Sequence, residues 1–178
     1  TPPATTGQPA GSDNANAPAQ APPVYFTNDI TPEGLMSVYE ALGKQATGTV
    51  AVKISTGEPG SNYLRPELIG SLVQSVNGTI VESNTAYGGQ RASTAMHYQV
   101  AADHGFTEIA DVVIMDEDGD MPLPVENGKH LQQDYVGANF ADYDFQIVLS
   151  HFKGHAMAGF GGALKNMGAK MPEEEMQP

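Results

Sequence analysis

Apolar residues recur along this chain with two different periods. In 31–44, TPEGLMSVYEALGK, residues Leu35, Val38, Tyr39 and Leu42 stand at i, i+3, i+4 and i+7, the stripe of a helix that buries one face. Thr31 is placed to cap it, Pro32 fills the first helical position and Gly43 marks its end. In 65–78, RPELIGSLVQSVNG, the stripe is Leu68, Ile69, Leu72, Val73 and Val76, with Pro66 at the start and Gly78 just past the end. RASTAMHYQVAADHG (91–105) predicts a third helix stopping at Gly105, and GGALKNMG (161–168) begins a fourth. Between them lie apolar runs of strand length: VYFT (24–27), GTVAVKIS (48–55), TIVES (79–83), ADVVIMDE (110–117) and DFQIVLS (144–150). Strands separated by helices predict a single α/β domain with a mainly parallel sheet flanked by helices. That sheet is expected to hold 48–54, 79–83, 110–116 and 145–150. Residues 118–143, rich in Asp, Gly, Pro and Asn, read as a long excursion.

The flanks differ from this middle. Residues 1–23 contain no aliphatic residue larger than Ala and no aromatic, so they cannot offset their own ordering entropy by burial. They read as a disordered tether, of the kind that holds an exported protein to a surface. This predicts an extracytoplasmic location and a lipid anchor N-terminal to this chain. Residues 24–168 form the α/β domain, and 169–178 read as a polar tail.

Charge narrows the partners. Eight Lys and Arg stand against 21 Asp and Glu, a formal net charge of −13. Nucleic acid and anionic membranes both ask for a basic footprint, which this composition lacks. No apolar run is long enough to span a bilayer. Cysteine is absent, which removes disulfides, a thiol nucleophile and an iron–sulfur cluster held by this chain. In so acidic a chain each basic residue carries more information.

Ligands of open parallel sheets bind beyond the C-terminal ends of the strands. Three loops are expected there: STGEPGSNY (55–63), NTAYGGQR (84–91) and SHFKGHAMAGFGG (150–162). The third gathers His151, Lys153 and His155 before a glycine turn that includes Gly161 and Gly162, with Lys165 at the helix start. A glycine turn before a helix exposes backbone N–H groups, which suits an anion, and also permits close helix–sheet packing. Neither the phosphate-loop nor the dinucleotide pattern fits, so a nucleotide is not implied. His151 and His155, at i and i+4, are candidate ligands of a divalent metal, although the glycines argue against a helix there. His97 and His104 read as surface or interhelical histidines.

The stretches VKISTGEPGSNYLRPELIGSLV (52–73), ESNTAYGGQRASTAMHYQVAADHGF (82–106) and SHFKGHAMAGFGGALKNMG (150–168) together resemble a family of bacterial and archaeal domains of unknown function, DUF362. The resemblance covers roughly residues 24–168. It implies an uncharacterised activity and, from other members, a link to iron–sulfur modules. HAMAGFGGALK (155–165) is further similar to a stretch of the nickel-pincer lactate racemases. That likeness implies an acid/base role for His155 and an anchoring role for Lys165. Where those enzymes place their second acid/base histidine this chain has Gln90, which cannot shuttle protons, followed by Arg91, a candidate clamp for a carboxylate or phosphate.

Two classes of function remain open. One is an enzyme in which His155 moves a proton on a small anionic substrate held by Lys165, Lys153, Gln90, Arg91, Gly161 and Gly162. The other is a non-catalytic surface binding module, or an accessory of an iron–sulfur redox protein, using the same cleft.

Overall fold

The computed structural model describes residues 21–86, 88–156 and 158–167. The expected tether falls mostly outside the described residues, as does the tail at 169–178.

Helix α1 (Pro32–Ala41) begins as expected, with the Thr31 hydroxyl accepting a hydrogen bond from Gly34 N at 3.0 Å. Strand β1 (Val50–Lys53) leads into α2 (Pro66–Ser75), which buries Ile69, Leu72 and Val73. The end of α2 is made by Asn77 in a left-handed conformation (φ 48°), with Asn77 N donating to Gln74 O and Gly78 N to Val73 O. Gly78 is required for its lack of a side chain: a Cβ there would stand 2.7 Å from Val52 Cγ2. Strand β2 (Thr79–Glu82), α3 (Thr94–Asp103) and β3 (Val112–Ile114) follow. A short 3-10 turn, Gln90–Ala92, precedes α3.

The excursion at 118–143 contains structure that its composition hides. Strands β4 (Asp120–Pro124) and β5 (Gln133–Gly137) pair antiparallel, and a 3-10 turn (Ala138–Asp142) returns the chain to β6 (Phe145–Val148). Pro122 and Pro124 argue against a strand, but β4 and β5 form a sheet of only two strands, in which both are edges and proline is tolerated. The glycine-rich stretch after β6 is also structured. Strands β7 (Lys153–His155) and β8 (Gly159–Gly161) form a small antiparallel hairpin, and α4 (Ala163–Met167) follows.

Four strands form one all-parallel sheet in the order β3-β2-β1-β6, which are the four expected from the sequence. Residues 24–27, also expected as a strand, carry no strand pairing, and Val24 and Phe26 are exposed. A strand needs a neighbour to take its hydrogen bonds, and no described strand serves as one.

Alternate residues of β1, with Ile54 just after it, enter two cores. Val50, Val52 and Ile54 pack with Ile69, Val73 and Ile80, while Ala51 packs with Val81 and Met115 under Phe140 and Tyr143. The chain advances from β1 to β2 to β3 in one direction, whereas β6 lies on the other side of β1. The order therefore reverses between β1 and β6, and a crevice is expected beyond their C-terminal ends. The segments leaving those ends are 54–65 and 149–162.

Candidate functional site at the strand ends

Lys53 and Glu82 are the last residues of β1 and β2, and both are buried. Parallel neighbours end on the same side, so the two side chains meet although 29 positions separate them. Lys53 Nζ donates to Glu82 Oε2 at 2.7 Å, to Ile54 O at 2.9 Å and to Asn166 Oδ1 at 3.0 Å. These use all three ammonium protons. Glu82 Oε2 also accepts from Ser83 N at 3.0 Å, and Oε1 accepts from Arg91 Nη1 at 3.0 Å and Thr56 N at 3.1 Å. Burial alone would raise the Glu82 pKa, but the adjacent Lys53, with Arg91 beside it, holds the carboxyl below its ordinary value. The group is a saturated anion that fixes the strand ends and has no lone pair free to act as a base.

His97 lies fully buried on α3, not on the surface or between helices as expected. The reason is its partners on two loops: Nε2 lies 2.9 Å from Thr56 Oγ1, and Nδ1 lies 3.3 Å from Asn84 Oδ1. Burial lowers its pKa, so the ring is neutral. The Asn84 carbonyl then receives the Nδ1 proton, because the Asn84 amide already donates to Thr94 Oγ1, and the Thr56 hydroxyl donates to Nε2. His104 donates from Nδ1 to Thr56 O at 2.8 Å and stacks on Tyr63, with ring centroids 4.0 Å apart. Thr56 is thus held from three sides.

Arg91 sits at the outer margin of this network. Its Nε donates to Glu58 Oε1 at 2.9 Å and its Nη1 also reaches Ser55 Oγ at 3.2 Å. Gln90 is exposed, and its backbone N donates to Glu58 Oε2 at 3.0 Å.

The β7–β8 hairpin is a different environment. Lys153 lies opposite Gly161, and His155 opposite Gly159. Residues two apart on a strand share a face, so Lys153 and His155 point the same way. A Cβ on Gly161 would stand 3.6 Å from Lys165 Cδ and 3.8 Å from His155 Cβ, which brings Lys165 over the same face. Phe160, opposite Gly154, lies on the reverse face, stacks on Phe152 at 6.2 Å between centroids, and rests against Gly162. Lys153 and Lys165 are exposed and make no ion pair among the described residues. His155 Nδ1 accepts from Ala158 N at 3.1 Å, leaving Nε2 without a partner among the described residues.

The sequence candidates therefore fall into two groups. Lys153, His155, Lys165 and Gly161 come together on the hairpin, and Gln90 and Arg91 meet at Glu58. Asn166 joins them: it accepts from Lys53, donates to Ser150 Oγ at 3.0 Å, and directly follows Lys165. His151 is half-buried in the loop before β7, with Nδ1 enclosed and unpaired, and no helix puts it on one face with His155. Among the described residues no three His, Asp or Glu side chains are grouped to hold a metal. A metal on His151 and His155 would need further ligands from elsewhere. Sequence reasoning missed Lys53, Glu82, Glu58, Thr56 and His97. The visible signal was a charge at the end of each apolar run, in VAVK (50–53) and TIVE (79–82), where strand length and burial make a lone charge costly.

Among the described residues no helix is long and apolar enough to cross a membrane. No curated protein and no solved structure matches the chain. The family of domains of unknown function DUF362 matches residues 50–177, and with that span the chain belongs to the DUF362 family.

Proposed function

We propose that this domain binds a small anion, a phosphate or a carboxylate, at the C-terminal edge of its sheet, on the basic face of the β7–β8 hairpin. The observation that carries this reading is the grouping of Lys153, His155 and Lys165 on one face with no acidic partner among the described residues, in a chain with 21 Asp and Glu. Exposed cations with no acidic partner stay available to a ligand, and an anion joining them would be attracted by both. The buried network supports the reading indirectly. It is complete without a ligand, and through Asn166 it anchors the helix that carries Lys165.

On this reading Lys153 and Lys165 hold the anion, and the free Nε2 of His155 stands beside it to give or take a proton. The His155–Lys165 spacing, similar to that of nickel-pincer lactate racemases, is consistent with proton transfer. Gln90 instead favours a non-catalytic binding module, because an amide cannot replace a second proton-transfer histidine.

The test is calorimetry at low ionic strength with inorganic phosphate and with acetate. Lys165→Ala and Lys153→Ala should each weaken binding of the preferred anion by roughly tenfold or more, the loss of a charge-assisted contact of about 1.5–3 kcal/mol. Equal affinity in parent and variants, or none in any of them, withdraws the proposal.

A further inference from the structure

Glu58 lies on the loop after β1 and reaches across 33 positions of sequence to Arg91. Its two oxygens are taken separately, Oε1 by Arg91 Nε at 2.9 Å and Oε2 by the backbone N of Gln90 at 3.0 Å. A planar carboxylate is recognised by such a pair of divergent donors. Gly89 forms the floor beneath it. Its φ is 137°, and a Cβ there would stand 2.9–3.1 Å from the carboxylate atoms of Glu58, so any side chain at 89 would close the place.

The donors do not depend on Glu58 for their position. Arg91 Nη1 is held by the buried Glu82 and by Ser55, and Arg91 O accepts from Thr85 N at 2.9 Å. Glu58 is the more open partner, its side chain 36% exposed against 12% for Arg91. Its backbone is secured independently, because Ser61 N and Ser61 Oγ both donate to Glu58 O. The side chain can therefore swing outward without unravelling the loop.

We propose that Gly89, Gln90 and Arg91 form a binding site for the carboxylate group of a small ligand, filled in the free protein by Glu58 as an internal stand-in that the ligand displaces. The site uses none of Lys153, His155 and Lys165, so it stands or falls separately from the hairpin. A tethered carboxylate competes at an effective concentration of about millimolar order, so a free carboxylate binds weakly while Glu58 is present.

The probe is acetate, followed in the full chain through the ¹⁵N–¹H resonances of the Gln90 amide and Arg91 Nε. In Glu58→Ala, acetate should bind at least about tenfold more tightly than in the parent, with both resonances moving along one saturable curve. Glu58→Gln, which keeps the shape and removes the charge, should also bind more tightly than the parent. Adding Arg91→Lys to Glu58→Ala should abolish the gain, because an ammonium lacks the planar fork. Chloride at matched concentration should move neither resonance. The idea is overturned if acetate leaves both resonances still in folded Glu58→Ala and Glu58→Gln, or if chloride moves them as far as acetate does. If Glu58→Ala does not fold, Glu58→Gln against the parent decides by the same criterion.

Discussion

The Lys53–Glu82–Arg91 network and the β7–β8 hairpin lie at the same end of the sheet and handle charge in opposite ways. In the network, two cations and the carboxylates of Glu82 and Glu58 saturate one another. On the hairpin, Lys153 and Lys165 stand exposed with no described acidic partner. Charges removed from water must be paired to persist, whereas exposed charges can stay unpaired at little cost and remain available to a ligand. The difference separates the group that holds the edge together from the group that can still act.

The contrast breaks most visibly at Glu82. Glu82→Gln keeps the side-chain volume but leaves the buried Lys53 without a carboxylate and Arg91 with Glu58 alone, and should cost about 3–5 kcal/mol in urea unfolding. A cost near zero would mean that the network is not a support. The pH dependence of stability tests the same region. His97 and Glu82 both have folded pKa values below their ordinary ones, so each contributes stability that is full above its ordinary value and lost as pH falls. The thermal midpoint should therefore begin to drop below about pH 6.5, where the unfolded histidine takes up a proton, and drop further below about 4.5 as Glu82 does the same. His97→Gln should flatten the upper part of that fall; an unchanged profile would show that another group causes it.

The bridge between the regions is weaker. Asn166→Ala removes two side-chain hydrogen bonds and should cost about 1–2 kcal/mol. Hydrogen exchange should speed up in α4 and the hairpin and stay unchanged in β1 and β2. Acceleration confined to α4 would separate helix from hairpin. Smallest of all, Lys153→Ala and Lys165→Ala should shift stability by less than about 0.5 kcal/mol, because they remove only exposed, unpaired charges. A loss several times larger would place these lysines in the support instead.

Local pattern was sufficient for the four helices and for the parallel sheet. The stripes through Leu35–Leu42 and Leu68–Val76 and the strand-length apolar runs are short-range properties, and burying them leaves few alternatives to helices packed on a sheet. Pattern also placed the three loops on one edge, since parallel strands connected by helices must end together. It could not show β7–β8, where five of the nine residues at 153–161 are Gly or Ala with little strand preference and pairing comes from the turn itself. Nor could it make 24–27 a strand without a neighbour.

The partnerships at the site were decided by tertiary structure alone. Lys53 meets Glu82 across 29 positions, Arg91 meets Glu58 across 33, and Lys53 meets Asn166 across 113. A side chain's burial and charge partners depend on which strand ends lie side by side. The sequence by itself determined which segments become strands and helices, because periodicity and capping act within a few residues. Only the folded sheet, by aligning the ends of β1 and β2 and returning 149–167 beside them, decided that Lys53 would be neutralised and Lys165 left open.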